Sequence, residues 1–219
     1  MLELKRQDFD ALSFDGRHGI SLVIQDKCYL RVQFDRGDVS QCRQFFQRLR
    51  AKPPTVSQWS SFDGVIFLWD RPSAFVSFCD PSEHQRWLAC LEQVMSPAHA
   101  PVVTPFDGQV LISLTGAAVD DLLSCLCGYD FHVRSHAHLM TTRLGDVRVR
   151  ILLDQKRDSG RHCRLVVDRS HLHYVYQLIE DFFDGNHCGK HYGKPEVEGA
   201  MGDVQPGASF LSAGSDDAI

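Results

Sequence analysis

Between Cys28 and Asp184 the chain runs twice through one order of patterns (strand, helix, hairpin, helix), and that repetition constrains the fold more than any single residue does. In the first pass, alternation at Tyr29, Leu30, Val32 and Phe34 predicts a strand from Cys28. Phe45, Phe46 and Leu49 then recur at helical spacing to Arg50, and Pro53 and Pro54 stop that helix. Two runs of aromatic and β-branched residues, 65–69 and 74–78, flank a polar turn and predict a hairpin. Asp80, Pro81 and Ser82 open a second helix with a proline in its first turn, and Trp87, Leu88, Leu91 and Val94 form its apolar stripe.

A linker at 96–105, with three prolines, separates this half from the next. The second pass predicts a strand at 109–114 and a helix at 116–127 with Val119, Leu122, Leu123 and Leu126 on one face. A hairpin of 139–144 and 147–153 turns at Gly145 and Asp146, and one extra strand follows at 162–167. Ser170 is placed to cap a last helix carrying Tyr174, Val175, Leu178, Ile179 and Phe182 to about Asp184. The fold class is therefore α+β, a domain of residues 28–184 built from two similar halves, 28–96 and 106–184. Residues 1–27, polar and carrying Gly16 and Gly19, read as a loosely packed lead with one short strand at 21–25. Gly, Ser, Asp and Pro dominate 185–219, a composition expected to stay disordered in the isolated chain, with Phe210 and Leu211 as its adjacent large apolar pair.

Charge and composition narrow the function classes. A net charge of −5 over 219 residues, with Lys and Arg scattered, offers no basic face for a nucleic acid. The apolar run at 65–69 is too short to span a bilayer and the charged first ten residues lack a signal-peptide core, so a cytoplasmic protein is expected. Eight cysteines are spread through the chain, with Cys28, Cys90 and Cys125 among apolar neighbours, and read as reduced thiols. Cys125 and Cys127 do not have the spacing of a redox pair.

The chemistry-bearing motifs are conspicuous by their types. The chain has no Gly-rich dinucleotide fingerprint, P-loop or nucleophile elbow, so FAD, NAD and ATP are not expected on this chain by those routes. Three histidine groups have spacings that a metal could use: His132, His136 and His138; His171 and His173; and His187, Cys188 and His191. Solvated or singly hydrogen-bonded imidazoles are the favoured account of them, since composition bias alone produces such clusters, and His162 reads as a packed strand residue. Asp120 with Asp121, and Glu180 with Asp181, are adjacent on helices and are expected to diverge into water. Asp63, Asp70 and Asp107 flank strands where aspartate satisfies backbone amides, and Trp59, Trp69 and Trp87 read as core or interface anchors. No catalytic, cofactor-binding or metal-binding residue is assigned.

The stretch 110–183 resembles the gamma subunit of heterotetrameric sarcosine oxidase, a relative of the folate-binding aminomethyltransferase domain of the glycine cleavage system. Leu114-Thr115-Gly116 followed by Leu122-Leu123 is similar to the family's strand, Gly turn and double-Leu helix. Cys127-Gly-Tyr-Asp130-Phe-His132-Val-Arg134 resembles its Cys-Pro-Leu-Asp-Leu-His-Pro-Arg segment, and Thr142-Arg143-Leu144 falls where the family shows Thr-x-Leu. Val167-Asp168-Arg169-Ser170, with Tyr174, is similar to the pattern opening the last helix.

The resemblance implies a folate-binding-domain-like fold in a non-catalytic subunit of an enzyme that oxidatively demethylates a secondary N-methyl amino acid. FAD, FMN, NAD, tetrahydrofolate and zinc would then reside on the partner alpha, beta and delta subunits, and none on this chain. N-methylglutamate dehydrogenase is built from similar subunits, so N-methylglutamate is an alternative substrate. A free-standing folate-binding or aminomethyl-transferring protein is a rival of another class, with Asp70 or Asp107 as its pterin carboxylate. The loop 130–138 is longer than a helix-to-strand link needs, so Asp130, His132, Arg134 and Arg143 are expected at a subunit interface.

Overall fold

A computed structural model of the chain describes residues 14–17, 19–34, 39–94, 101–106, 108–133, 137–158 and 160–185. The elements are β1 (Phe14–Arg17), β2 (Ile20–Gln25), β3 (Cys28–Gln33), α1 (Val39–Leu49), β4 (Ser60–Phe62), β5 (Val65–Arg71), β6 (Ala74–Cys79) and α2 (His84–Val94). The chain continues through β7 (Val102–Pro105), β8 (Gln109–Gly116), α3 (Val119–Cys127), β9 (His138–Leu144), β10 (Val147–Leu153), β11 (Arg161–Asp168) and α4 (Leu172–Phe183). Short 3₁₀ turns, Pro81–Glu83 and Arg169–His171, lead into α2 and α4.

These strands form two antiparallel sheets, a six-stranded one ordered β1-β2-β8-β11-β10-β9 and a five-stranded one ordered β4-β5-β6-β3-β7. The topology contains a reciprocal exchange. β2 precedes the first unit yet pairs with β8, from Ile20 opposite Gly116 to Gln25 opposite Leu111. β7 precedes the second unit yet pairs with β3, from Leu30 opposite Pro105 to Gln33 opposite Val102. Each unit thus lends its leading strand to the other unit's sheet, and the two halves are interlocked.

Alternation then explains the layers, because successive side chains of a strand point to opposite faces. Ile20, Leu22, Ile112, Leu114, Val149, Ile151, Leu165 and Val167 cover one face of the six-stranded sheet and bury it under Leu122, Leu123, Val175 and Ile179 of α3 and α4. Leu30, Val32, Phe67 and Phe75 cover one face of the other sheet beneath Phe45, Phe46, Trp87 and Leu91 of α1 and α2. The two remaining faces meet each other through Tyr29, Leu68, Val76, Phe78, Leu111, Leu139, Leu152 and Val166. Helices, sheet, sheet and helices form four layers. Inside the aromatic layer, Trp87 Nε1 donates to Ser77 Oγ at 3.0 Å, which satisfies the one polar atom of a fully buried indole.

Several expectations change against this architecture. The lead before Cys28 is not loosely packed where it is described: Ile20, Leu22 and Ile24 of β2 are buried, since β8 would otherwise present an open edge. Gly19 sits at a backbone crossing, its carbonyl accepting from Ala117 N at 3.1 Å. Gly116, at φ 148, leaves no space for a side chain, because a Cβ there would lie 1.9 Å from Gly19 O. The helix expected from Gly116 therefore begins at Val119.

The linker ends in a strand, β7. The extra strand is not peculiar to the second half either, because β4 matches β9 and both units run strand, strand, helix, three strands, helix. Ser170 does not cap α4; it lies inside the 3₁₀ turn, and the helix starts at Leu172 with no side-chain cap. The tail beyond Gly185 lies outside the described residues.

Candidate functional site

The face between the sheets reads as polar on alternate strand positions, and the reason is a set of arginines held around one carboxylate. Asp70 ends the regular part of β5, where the pairing with β6 shifts between Trp69 and Arg71. Its Oδ2 lies 3.3 Å from Arg71 Nε and 3.4 Å from Arg31 Nε of β3, and its Oδ1 lies 3.6 Å from Arg150 Nη2 of β10. Arg150 reaches Asp70 from the opposite sheet, so the cluster joins the two layers. Burial pushes Arg150 below the ordinary arginine value, Asp70 opposes that shift, and the neighbouring guanidiniums of Arg148 and Arg31 reinforce it. Arg150 Nη1 is buried without a hydrogen-bond partner. Arg31 also stacks over Phe106, 5.1 Å from the ring centre, and Arg164 of β11 lies 4.5 Å over Trp59. The expected role of Asp70, satisfying turn amides, is replaced by that of a counter-ion between sheets. It is thereby held among three guanidiniums; Asp107 lies outside the described residues.

A second cluster corrects the reading of the adjacent acids on α3. Asp121 is exposed, but Asp120 is only 1% exposed and accepts from Arg161 Nε at 2.5 Å and from Lys156 Nζ at 2.7 Å. Arg161, equally buried, also donates to the carbonyls of Asp154 at 3.1 Å and Phe131 at 3.3 Å. One guanidinium thus ties the start of α3, the end of β10 and the loop after α3. Beside it, Asp154 contacts His162 Nδ1 at 2.5 Å and Arg164 Nη2 at 2.8 Å. Burial would raise the Asp154 carboxyl, but the bonds and charges of His162 and Arg164 outweigh it and hold the group below the usual carboxylate range. His162 is accordingly a half-exposed partner of Asp154. Glu180 and Asp181 are half-buried.

The four expected interface residues are distributed over two neighbouring structures. Asp130 Oδ1 accepts from His132 N at 2.9 Å, an aspartate turn, and His132 Nε2 lies 2.9 Å from Asp121 Oδ1. Between them Phe131 is fully buried and its amide donates to Ser124 Oγ at 3.1 Å. The start of the loop is therefore fastened to α3, with His132 and Val133 facing solvent. Arg134 and His136 lie outside the described residues, as do His187, Cys188 and His191. Arg143 sits on β9, directly opposite Arg148 of β10, and its Nη2 donates to Asp146 O at 2.9 Å across the hairpin turn.

Among the described residues no three His, Cys, Asp or Glu side chains are placed to hold a metal. No helix of those residues is long and apolar enough to cross a membrane. Trp87 is a core residue, whereas Trp59 and Trp69 are half-buried. Arg31, Arg150, Arg161 and Arg164 were not singled out from sequence. Arg161 had a legible signal, since it stands in phase with the inward Cys163, Leu165 and Val167.

No family model and no curated protein matches the chain. Among solved structures, the chain is similar to heterotetrameric sarcosine oxidase from Corynebacterium sp. U-96 in complex with pyrrole 2-carboxylate, with a TM-score of 0.61 and 17% identity over 84% of this chain and 93% of that one. At that identity the likeness shows a shared fold. A weaker likeness to the regulatory subunit of aspartate kinase from Thermus thermophilus, TM-score 0.39 and 12% identity over 74% and 95% of the two chains, carries no argument.

Proposed function

We propose that this chain is the gamma-type, non-catalytic subunit of a heterotetrameric flavoenzyme that oxidatively demethylates a secondary N-methyl amino acid. The observation that carries the reading is the fold shared with a chain of heterotetrameric sarcosine oxidase over 84% of this chain and 93% of that one. The resemblance of the stretch 110–183 supports it as well, with Gly116 ending β8, Asp130 in the loop after α3 and Thr142-Arg143-Leu144 ending β9. The polar clusters support a structural role: Asp120, Asp154 and Asp70 each serve as a counter-ion to internal cations. In this reading FAD, FMN, NAD, tetrahydrofolate and zinc belong to the alpha, beta and delta partners, the folate-binding-like fold of this chain is used as scaffold, and the complex is cytoplasmic. The loop from Asp130 and His132 through Arg134, together with Arg143, faces those partners.

The test is spectroscopic. The chain purified alone is expected to be colourless, and a tagged chain isolated from its native cells is expected to bring down larger subunits with a visible flavin spectrum. A stoichiometric flavin band on the isolated chain, or recovery from those cells without any flavoprotein, overturns the proposal.

A further inference from the structure

β9 is the edge strand of the six-stranded sheet, and its start is covered where Leu139 N donates to Ser57 O at 2.8 Å. Farther along, no described strand pairs with its outer side. On that length Arg143 stands directly opposite Arg148, and like charges in facing positions of adjacent strands oppose pairing. The two line a shallow recess with Thr141, Thr142 and Asp146. Among the described residues Arg148 makes no ion pair, and Arg143 bonds the Asp146 carbonyl, a neutral acceptor.

The positive charge continues inward from this pair. Arg150 follows Arg148 on the same face of β10 and leads to Arg31 and Arg71 around Asp70. Five arginines, Arg31, Arg71, Arg143, Arg148 and Arg150, stand here with three aspartates: Asp70 is ion-paired, Asp168 acts on Arg150 electrostatically, and Asp146 lines the recess, which leaves an excess of two positive charges on a chain whose net charge is −5. The platform is fixed: Gly145 N donates to Leu126 O at 3.2 Å, and Tyr174 OH meets Asp146 N at 3.5 Å. A loose hairpin would let the arginines separate; this one holds them together.

We infer that the free length of β9, with Arg143 and Arg148, docks an extended acidic segment of a partner polypeptide, adding it to the sheet edge while its carboxylates pair with the two guanidiniums. An edge strand supplies unpaired amides and carbonyls, and the arginine fork pairs with carboxylates in two-point geometry. The inference rests on the subunit reading above and names the chemistry of the partner that Arg143 meets.

The test uses the full chain and a fluorescent hexaglutamate peptide at low ionic strength. Binding that weakens with added salt, and at least tenfold in the Arg143→Ala/Arg148→Ala double variant with unchanged melting, is the expected result. Absence of binding, or equal binding by both proteins, overturns the inference. Inorganic tripolyphosphate is titrated in parallel, and tighter binding of it through the same arginines would make this a phosphate site instead. If the double variant self-associates while peptide binding is unchanged, the arginines only protect a sheet edge and the inference fails. The titration needs no flavoprotein, so its outcome is separate from that of the subunit proposal.

Discussion

Replacing Asp120 by Asn should be the most damaging isosteric change in the chain. The carboxylate and the Arg161 guanidinium are each 1% exposed, and Arg161 keeps two carbonyl acceptors once Asp120 is neutral. Those carbonyls satisfy donors but not charge. A unit pair about 4 Å apart interacts by about 4 kcal/mol at an effective dielectric near 20, and breaking one side of a buried pair costs about 3–5 kcal/mol. Lys156, whose side chain is 40% exposed, would then face Arg161 without the carboxylate between them. Lys156→Ala alone should cost only about 1 kcal/mol, because an exposed ammonium is screened by water. The apolar pair Asp120→Leu/Arg161→Met should restore much of the loss, since it removes both charges together. Urea unfolding followed by circular dichroism measures all three variants against wild type. Asp120→Asn within about 1 kcal/mol of wild type, or a double variant no better than the single, would refute a charge-based account of this cluster.

Three further outcomes are expected. Gly116→Ala should destabilise the chain by at least about 3 kcal/mol or prevent folding, because its Cβ would meet the Gly19 carbonyl at 1.9 Å; wild-type melting of this variant would remove the backbone crossing from the account. Gly145→Ala should lower the melting temperature by several degrees, its Cβ lying 2.6 Å from Tyr174 OH at φ 54, and Tyr174→Phe should partly relieve the clash. Asp154 has a folded-state carboxyl below its unfolded value of 3.8, so its contribution is present above that pH and lost as acid is added through the folded value. Melting scans below about pH 4 should therefore show a shallower acid loss for Asp154→Asn than for wild type, and parallel curves would contradict the assignment.

The parts of this fold that were legible in the sequence are those decided locally. The β5–β6 hairpin follows from two dense apolar runs around a polar turn, and the Gly145-Asp146 turn joins β9 to β10 as the sequence predicts. β4 was missed because three residues show no period, although Asp63-Gly64, both at positive φ between Phe62 and Val65, is a strong hairpin signal. The exchange of β2 and β7 between sheets depends on the choice of partner strand, which local pattern does not encode.

The face between the sheets was obscured for a related reason. Arg31, Asp70, Arg150 and Arg164 make alternate positions look solvent-facing, yet they are half-buried, Arg31, Asp70 and Arg150 drawn together and Arg31 and Arg164 lying over Phe106 and Trp59. Asp120 looked exposed because its neutralising partner is 41 residues away. Within the expected interface, Arg143 could be read for its position in the motif. Its pairing with Arg148 required the hairpin register.

The central claim is that this chain is a scaffold for flavin-bearing partners, and subunit omission tests it most directly. The flavoprotein subunits are expressed with and without this chain, and assembly is followed by size-exclusion chromatography with flavin absorbance and N-methyl amino acid oxidation. The account predicts one flavin-containing particle with the chain present, and dissociated subunits with reduced flavin content and turnover when it is left out. Assembly and turnover unchanged by its omission, or demethylating activity from this chain alone, would contradict it.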